Sequence, residues 1–301
     1  MPIKDTYRIT DLDSRSKLDD GADKPARLAV IGWPVAHSAS PQMHQAALDA
    51  LGMDMRYIRL EVPEGQTAEA FERMHKLDFV GCNITVPHKF AAGAYCDELG
   101  ACAKLLGSAN TIRFGKSGSM GFNTDGMGFV NSVREKFGAE LSGLSVVIAG
   151  AGGGAGQALA AQCIESGVKR LVLVNRSQGK LTQLVEHLSQ PEPDTVIIAL
   201  GFDSPDLARH CLESQLIVNA SSVGLKTDDP SILPAECIKA EHWVYDAIYK
   251  PPQTPLLKLA QQVGAKTTNG LPMLIHQGVI SFKHWFPGAE PLPYMRQAMQ
   301  P

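Results

Sequence analysis

A glycine-rich run at residues 150–156 has the residue types and spacing that most directly suggest a chemical task. It lies between an apolar segment and a stretch rich in alanine and leucine, so it fits the pattern G-x-G-x-x-A between a strand and a helix. In that pattern Gly150 allows a tight turn, Gly152 lets a pyrophosphate approach the backbone, and the small Ala155 lets the helix pack on the strand. The N–H groups that begin the helix then favour phosphate.

The run therefore predicts a dinucleotide site, and the alternative is a turn that packs tightly and binds nothing. The candidate cofactor-binding residues are Gly150, Ala151, Gly152, Gly153 and Gly154.

A second candidate group, Asn175, Arg176 and Ser177, follows the next apolar segment, with Lys180 close behind. Proteins that bind NAD usually place a carboxylate at this position to accept a hydrogen bond from the ribose, and that carboxylate would repel a 2′-phosphate. An arginine attracts the phosphate instead. The sequence therefore favours NADP over NAD, unless Arg176 is simply a solvated surface residue.

Polar residues in the first half of the chain form four short clusters. They read H-S-A-S-P at 37–41, N-I-T-V-P-H-K at 83–89, S-A-N-T at 108–111 and N-T-D-G at 123–126. They are expected at the ends of strands, where side chains from different parts of the chain meet at one edge of a sheet.

Taken singly, the polar residues of these clusters have ordinary structural explanations. Ser40 is a good N-cap for a helix with Pro41 as its first residue. Lys89 would be a solvated lysine at a helix start, Asp125 a turn residue before glycine, and Tyr249 an aromatic residue at a strand end. Only the set as a whole indicates a binding site.

The elements that must position these residues follow an alternating strand–helix rhythm, which predicts a mainly parallel sheet covered by helices. In the first half, strands are expected at 27–32, 57–62, 79–86 and 108–114, and helices at 40–51, 67–76 and 88–99. A second series has strands at 145–149, 171–175, 195–200, 216–219 and 243–246, and helices at 155–166 and 178–188. The boundary is expected near Asp125, and residues 1–24 are expected to be loosely attached.

Composition limits the classes of function. The 301 residues carry a net charge of -3, which argues against a nucleic-acid partner. No apolar run approaches the ~20 residues needed to cross a bilayer, and the first residues lack the apolar core of a signal peptide. The six cysteines show no metal-ligand spacing, so we expect free thiols, no metal site and a cytoplasmic location.

The ordered clusters resemble those of the shikimate dehydrogenase family. Later blocks come in the family's order as well: N-A-S-S at 219–222, Y-D-A-I-Y at 245–249, T-P at 254–255 and N-G-L at 269–271. The resemblance covers about residues 27–286. It implies reversible, NADPH-dependent reduction of 3-dehydroshikimate to shikimate, a step of aromatic amino acid (chorismate) biosynthesis, by a monomer or homodimer.

The resemblance also implies roles for individual residues. Lys89 and Asp125 match the catalytic pair, and Asn83 orders its loop. Ser38 and Ser40 bind the substrate carboxylate with help from Tyr249, with no arginine expected there. The substrate-binding residues are Ser38, Ser40, Thr85, Asn110, Asp125, Tyr249 and Gln277. The cofactor-binding residues are Gly150, Ala151, Gly152, Gly153, Gly154, Asn175, Arg176, Ser177, Lys180, Ala247 and Gly270.

The expected fold is α/β, with an N-terminal mainly parallel α/β sandwich domain, a C-terminal NADP-binding Rossmann domain and the active site in the cleft between them. The resemblance implies that the first domain is split, comprising residues 1–124 and 270–301, with 125–269 as the cofactor domain. Its last part would include a helix from Met273 to Trp285 that carries Gln277.

Three positions depart from the family's pattern. Ala247 replaces a bulkier residue, Lys180 stands where arginine is common, and Pro272 replaces a frequent glycine. Two other interpretations stay open. A quinate/shikimate dehydrogenase with broader substrate and cofactor use is disfavoured in its NAD-preferring form, because no acidic residue follows Arg176. A non-catalytic ligand sensor on the same fold is disfavoured by Lys89 and Asp125.

Overall fold

The chain divides into two units in a computed structural model that describes residues 4–190, 194–226 and 228–300. Unit 1 comprises Met1–Thr124 and Ile275–Pro301, and unit 2 comprises Asp125–Leu274. Each unit contains its own sheet, seven-stranded in unit 1 and six-stranded in unit 2. The α/β fold class is confirmed.

The strands and helices of unit 1 alternate along the chain. The strands are β1 Thr6–Arg8, β2 Ala26–Gly32, β3 Arg56–Glu61, β4 Gly81–Ile84, β5 Glu98–Leu99, β6 Thr111–Gly115 and β7 Gly118–Phe122. The helices are α1 Arg15–Leu18, α2 Ser40–Ala50, α3 Thr67–Lys76, α4 Lys89–Tyr95 and α5 Ala101–Leu106, followed near the end of the chain by α11 Leu271–Trp285 and α12 Leu292–Ala298. The residues of α11 from Ile275 onward belong to this unit.

The sheet of unit 1 has the order β1-β3-β2-β4-β6-β7-β5. The strands on the β1 side of β4 all pair in parallel, whereas β6 is antiparallel to both β4 and β7. The sheet is therefore mainly parallel, as expected, but the G-K-S-G-S turn at 115–119 closes a hairpin with a strand, β7, that the sequence did not reveal.

The expectation that the N-terminal residues are loosely attached is wrong for residues 4–24. Strand β1 pairs with β3, and the side chains of Tyr7, Leu12 and Leu18 are buried in the core of unit 1. The residues between these three are mostly polar, so no periodic pattern marked the segment. Residues 1–3 lie outside the described part of the chain.

Two expected helix boundaries also need correction. The N-cap of α2 is Ala39, and Ser40 is the first helical residue, so Ser40 does not cap this helix. The helix expected at 88–99 ends at Tyr95 because Cys96 adopts an extended backbone, and the short elements β5 and α5 follow.

Unit 2 is built on a fully parallel sheet. Its strands are β8 Ser145–Ala149, β9 Arg170–Val174, β10 Val196–Leu200, β11 Leu216–Asn219, β12 Trp243–Asp246 and β13 Lys266–Thr268. Its helices are α6 Asp125–Phe137, α7 Gly154–Glu165, α8 Gln178–Leu188, α9 Leu207–Leu212 and α10 Pro255–Gln262. The strand order is β10-β9-β8-β11-β12-β13, so the chain reverses its direction of travel across the sheet between β8 and β11. That order is the one found in Rossmann folds.

The strands of unit 1 bury different side chains on their two faces, because successive residues of a strand point in opposite directions. Ile58 and Leu60 of β3 face the core that contains α3. Tyr57 faces the other side, where its ring stacks on that of His44 from α2 at a centroid distance of 4.5 Å. Trp285 of α11 packs against both rings.

Three further features concern the cysteines, the metal-ligating side chains and the helix lengths of the described residues. All six cysteines are free thiols. Within the described ranges, no group of His, Cys, Asp and Glu has the arrangement of a metal site, and no helix is both long and apolar enough to span a membrane.

We expect Leu18→Ala to lower the free energy of unfolding of unit 1 by about 2–5 kcal/mol, the usual result of deleting a fully buried leucine side chain. Leu18 is 0% exposed, whereas Leu105 in the same unit is 37% exposed, so Leu105→Ala provides the control. Urea unfolding followed by circular dichroism measures both. Equal, small effects of the two changes would mean that the N-terminal segment is not part of the core.

His44 should make unit 1 less stable in acid. Burial lowers the pKa of His44 to about 3 from its ordinary value of 6.5. At pH values between these two, the unfolded chain binds a proton that the folded chain does not, so stability falls as pH decreases by about 1.4 kcal/mol per pH unit.

The test compares unfolding free energies of the wild type and His44→Phe between about pH 6 and about pH 4. Phenylalanine keeps the ring stacked on Tyr57 but does not titrate, so the variant should lose that part of the slope. His37 is exposed, and His37→Asn should leave the slope unchanged. Identical slopes in the wild type and His44→Phe would refute this assignment.

Candidate functional site

The polar clusters of unit 1 meet at one edge of its sheet. Residues 33–40 follow the carboxyl end of β2, and Thr85 follows that of β4. Asn110 lies at the same edge, because β6 runs antiparallel to β4 and the Asn110 carbonyl accepts a hydrogen bond from the Ile84 N–H at 2.8 Å. The loops after β2 and β4 are joined directly by a hydrogen bond from the Trp33 N–H to the Val86 carbonyl, 3.1 Å long.

Asn83 is the centre of a buried hydrogen-bond network beneath this edge. Its side-chain oxygen accepts from the Tyr57 hydroxyl at 2.7 Å, and its nitrogen donates to the hydroxyls of Thr111 at 3.1 Å and Ser281 at 3.0 Å. Buried polar groups are costly unless they are paired, so this network fixes the relative positions of the strands and of α11. These contacts join Asn83 to β3, β6 and α11, and its expected ordering of its own loop stays a prediction.

The same network orients two of the expected substrate residues. Thr124 lies beside Asn110, whose side-chain oxygen accepts from the Thr124 N–H at 2.9 Å and whose nitrogen donates to the Thr124 hydroxyl at 3.0 Å. Ser281 donates to the backbone carbonyl of Gln277, one helical turn earlier, at 2.9 Å. Asn110 and Gln277 are thus tied to one buried centre.

Ser38 lies in the loop that leads into α2, and Ser40 is the first residue of that helix. The Ser38 hydroxyl oxygen accepts from the Ser40 N–H at 3.3 Å. Its backbone carbonyl accepts two hydrogen bonds from the guanidinium of Arg59, from Nε at 3.1 Å and from Nη2 at 2.9 Å. This loop lies at the start of an 11-residue helix, whose N-terminus favours an anion.

Lys89 is the first residue of α4, and the residue before it is firmly held. His88 is buried, and its Nε2 donates to the Val62 carbonyl at 2.7 Å while its Nδ1 accepts from the Thr67 hydroxyl at 3.0 Å. Burial lowers the pKa of His88, so the ring stays neutral in this arrangement. The backbone carbonyl of Lys89 in turn accepts from the Ala109 N–H at 2.9 Å.

The expected substrate and catalytic residues fall in both units. Unit 1 contains Ser38, Ser40, Thr85, Lys89, Asn110 and Gln277. Unit 2 contains Asp125, the buried first residue of α6, and the half-buried Tyr249, which follows β12. The pairing of Lys89 with Asp125 stays a prediction.

The glycine run of unit 2 forms the turn between β8 and α7. Gly150 has a φ of +85°, and a Cβ there would lie 2.6 Å from that of Ser221, in the loop after β11. A Cβ at Gly152 would lie 2.6 Å from the Asn175 side-chain nitrogen, whereas one at Gly154 would meet no atom within 4 Å. The glycine turn after β8 and the loop after β11 therefore approach each other at the point where the strand order reverses. Nucleotides bind at this point in such sheets.

A cleft of about 490 Å³ opens at this edge of unit 2. It is lined by Gly150, Gly152, Gly153, Asn175, Arg176, Ser177, Lys180, Phe202, Ser221, Ser222, Val223, Pro230, Ser231 and Ile232. Arg176 and Lys180 are both exposed, and none of these described lining residues is acidic. The cleft is thus suited to a nucleotide with an additional phosphate. Ala151, which the resemblance also assigned to the cofactor, is buried and is not one of these lining residues.

Asn175 acts within this cleft by fixing two loops. Its side-chain oxygen accepts from the Gly152 N–H at 3.3 Å, and its nitrogen donates to the Ser177 carbonyl at 3.0 Å. The asparagine therefore connects the glycine turn with the loop that carries Arg176.

Asp246 connects the loop after β11 with the loop after β12. Its carboxylate accepts from the Thr254 hydroxyl at 2.6 Å, the Ile248 N–H at 3.0 Å and the Asn219 side chain at 3.1 Å. Asn219 also accepts from the Ser221 N–H at 2.9 Å. The loop after β12, which contains Ala247, is thereby tied to the loop that lines the cleft.

Gly270 closes the same region. A Cβ on Gly270 would overlap the Ala247 carbonyl, so only glycine fits there, and the Gly270 N–H donates to the Ile248 carbonyl at 3.0 Å. Ala247 and Gly270 are therefore in direct contact, and their assignment to one end of the cofactor stays a prediction.

The sequence did not assign roles to several residues that build these loops: Tyr57, Arg59, Thr111, Asp246, Thr254 and Ser281. Asp246, Thr254 and Asn219 belong to blocks that the family resemblance had singled out, so a signal for them was present. Tyr57, Arg59 and Ser281 carried none, because their partners are distant in sequence.

Two family models match this chain. Residues 30–112 match the substrate-binding domain of shikimate dehydrogenase, and residues 270–300 match the C-terminal domain of shikimate 5'-dehydrogenase. Among curated relatives, the NADP(+) shikimate dehydrogenase of Methanopyrus kandleri is 36% identical over 274 residues, which are 90% of this chain and 94% of that protein.

Solved structures give the same result. The shikimate 5-dehydrogenase of Thermus thermophilus, in complex with NADP(H) and shikimate, has a TM-score of 0.78 at 33% identity and covers 91% of this chain and 100% of that one. A quinate dehydrogenase of Corynebacterium glutamicum, in complex with NAD, has a TM-score of 0.82 at 28% identity, covering 92% and 99%. With the sequence identity extending over nine-tenths of its length, this chain belongs to the shikimate dehydrogenase family.

Proposed function

We propose that this protein is a shikimate dehydrogenase that reduces 3-dehydroshikimate to shikimate reversibly with NADPH. The observation that carries the proposal is the family relationship over nine-tenths of the chain. The cationic, carboxylate-free lining of the cleft in unit 2 supports NADP as the cofactor.

The residues of unit 2 fit this cofactor. A turn without side chains at Gly152, Gly153 and Gly154 leaves room for a pyrophosphate, and the first turn of α7 offers N–H groups to it. Arg176 and Lys180 would hold the 2′-phosphate. NADPH, when bound, supplies the hydride; the protein binds, orients and provides the proton.

The residues of unit 1 would hold the substrate. Ser38 and Ser40 would donate to its carboxylate, while Thr85, Asn110 and Gln277 would hold the ring hydroxyls. A site built to pair with hydroxyl groups rejects analogues that lack them, because its own buried polar groups are then left unpaired. The hydrogen bonds that fix Asn110 within unit 1 support this selectivity.

Lys89 is the proposed proton donor. As negative charge grows on the reduced carbonyl oxygen, the ammonium group stabilises it and transfers a proton. In the oxidative direction Lys89 accepts a proton from the substrate hydroxyl. We assign Asp125 first to orienting Lys89 and accepting from a substrate hydroxyl, and second to the proton path.

We also propose that the enzyme works in the cytoplasm, which the free cysteines support. We propose either a monomer or a homodimer.

We expect Lys89→Ala to lower kcat for shikimate oxidation by about 10²–10⁴-fold, the usual cost of removing a general acid or base. Stopped-flow or steady-state absorbance of NADPH measures this. Lys104→Ala, which changes an exposed lysine on α5, is the control and should retain wild-type kcat. A Lys89→Ala variant with near-normal kcat would remove Lys89 from the mechanism.

We expect Arg176→Ala to raise the KM for NADPH about tenfold and to leave that for NADH nearly unchanged, because only NADPH carries the 2′-phosphate. Lys180→Ala should have the same selectivity with a smaller effect. High salt should shrink the difference, since Arg176 is exposed. Equal losses for the two cofactors would show that Arg176 does not recognise the phosphate.

A turnover assay of shikimate and quinate, each with NADP and with NAD, tests the proposed function itself. Activity confined to shikimate with NADP is the expected result. Comparable activity on quinate would identify the broader quinate/shikimate enzyme, and binding without turnover would identify a ligand sensor.

A further inference from the structure

Arg59 occupies a position that the family resemblance did not assign. It lies on β3, two residues after Tyr57, so both side chains project to the face of the sheet that α2 covers. Ser38 lies in the loop that precedes α2, and Ser40 is the first residue of that helix. The direction of the strand therefore brings the guanidinium of Arg59 to the backbone of the proposed carboxylate site.

The contact between Arg59 and Ser38 is bidentate. Nε and Nη2 both donate to the Ser38 carbonyl oxygen, at 3.1 and 2.9 Å. The planar guanidinium can form this fork, whereas the ammonium of a lysine cannot reproduce it. The Arg59 side chain is only 20% exposed, so its conformation is held by the surrounding protein.

The third contact of Arg59 is with the N-terminal segment. Strand β1 pairs with β3 so that Thr6 lies opposite Arg59, which places Asp5 next to the guanidinium, and Nη1 lies 2.8 Å from the Asp5 carboxylate. The Asp5 side chain is 83% exposed, and solvent weakens such a pair. Asp5 therefore orients Arg59 without cancelling most of its charge.

We propose that Arg59 is a positioning residue for the substrate carboxylate, which fixes the Ser38 loop through its carbonyl and attracts the anion with its positive charge. This inference rests on the proposed function, in which Ser38 and Ser40 bind a monocarboxylate. The Ser38 oxygen accepts from the Ser40 N–H, so its hydroxyl proton is not used in that contact and can be donated to the carboxylate. Two neutral hydroxyls supply geometry, and Arg59 supplies the charge that they lack.

The test is steady-state kinetics of Arg59→Met and Arg59→Lys with shikimate and NADP. Arg59→Met should raise the KM for shikimate about tenfold, or about 1.4 kcal/mol, with kcat and the KM for NADP within about twofold of wild type. The KM for shikimate of Arg59→Lys should lie between those of the wild type and Arg59→Met, because lysine keeps the positive charge but cannot form the two hydrogen bonds to the Ser38 carbonyl. An unchanged KM in Arg59→Met would overturn the proposal.

A neutral substrate separates charge from packing. The methyl ester of shikimate has no carboxylate charge, so Arg59→Met should raise its KM less than it raises the KM for the acid, and the rise that remains measures the loosened Ser38 loop. Equal losses for acid and ester would mean that Arg59 acts through packing alone and would overturn the charge role. Should the ester not be accepted by the wild type, the salt dependence decides. The KM for shikimate should rise between about 0.05 and about 0.5 M NaCl in the wild type and stay flatter in Arg59→Met, and equal salt dependence would overturn the charge role.

Arg73→Met is the matched control. Arg73 also binds the N-terminal segment, through Asp13, but its other ion pair is with Glu69 on α3, away from the Ser38 loop. It should leave the KM for shikimate unchanged, and a rise equal to that in Arg59→Met would assign both effects to loosening of the segment and overturn the proposal. Wild-type turnover of shikimate in the same experiment tests the proposed function separately, so failure of one is distinguishable from failure of the other.

Discussion

Polar groups can be buried at the ends of central strands only if every one of them is paired, and this constraint shapes the loops of both units. In unit 1 the buried amide is Asn83, which joins β3, β6 and α11. In unit 2 the buried groups are Asn219 and Asp246, which join the loops after β11 and β12. Burial raises the pKa of Asp246, while its three hydrogen-bond donors favour the ionised form. Each network is buried beneath the edge of the sheet from which the candidate site residues extend.

The buried hydrogen-bond networks of the two units orient different groups. The network of unit 1 orients side chains, since Asn110 and Gln277 are both tied to it, and it suits a small ligand with several hydroxyl groups. The network of unit 2 orients the backbone of the loops that line the cleft. That cleft also contains the glycine turn and the cationic side chains of Arg176 and Lys180. In the proposed function, selectivity for the ring hydroxyls and affinity for phosphates come from different physical sources in one chain.

Local patterns in the sequence predicted the parts of the fold that local forces determine. The glycine turn at 150–156, the helix α8 and the strands β8 and β11 were all foreseen, because a strand, a turn and a helix adjacent in sequence carry their own signals. The candidate site residues came from ordered blocks and the family resemblance. Tyr57, Arg59 and Ser281 were missed because each pairs with residues at least 20 positions away. The role of Ser40 as an N-cap was wrong because the helix begins one residue earlier than its proline suggested.

The short strand β1 has a consequence for how molecules of this protein meet. Without it, the outer side of β3 would present unpaired N–H and C=O groups, which invite a strand from another copy to add to the sheet. The chain fills that edge with its own first residues, and the new edge is only three residues long. Removal of the segment before Ala26 would therefore expose an unpaired strand edge, which would promote self-association at high concentration. This edge is remote in sequence from most of the residues that carry the chemistry.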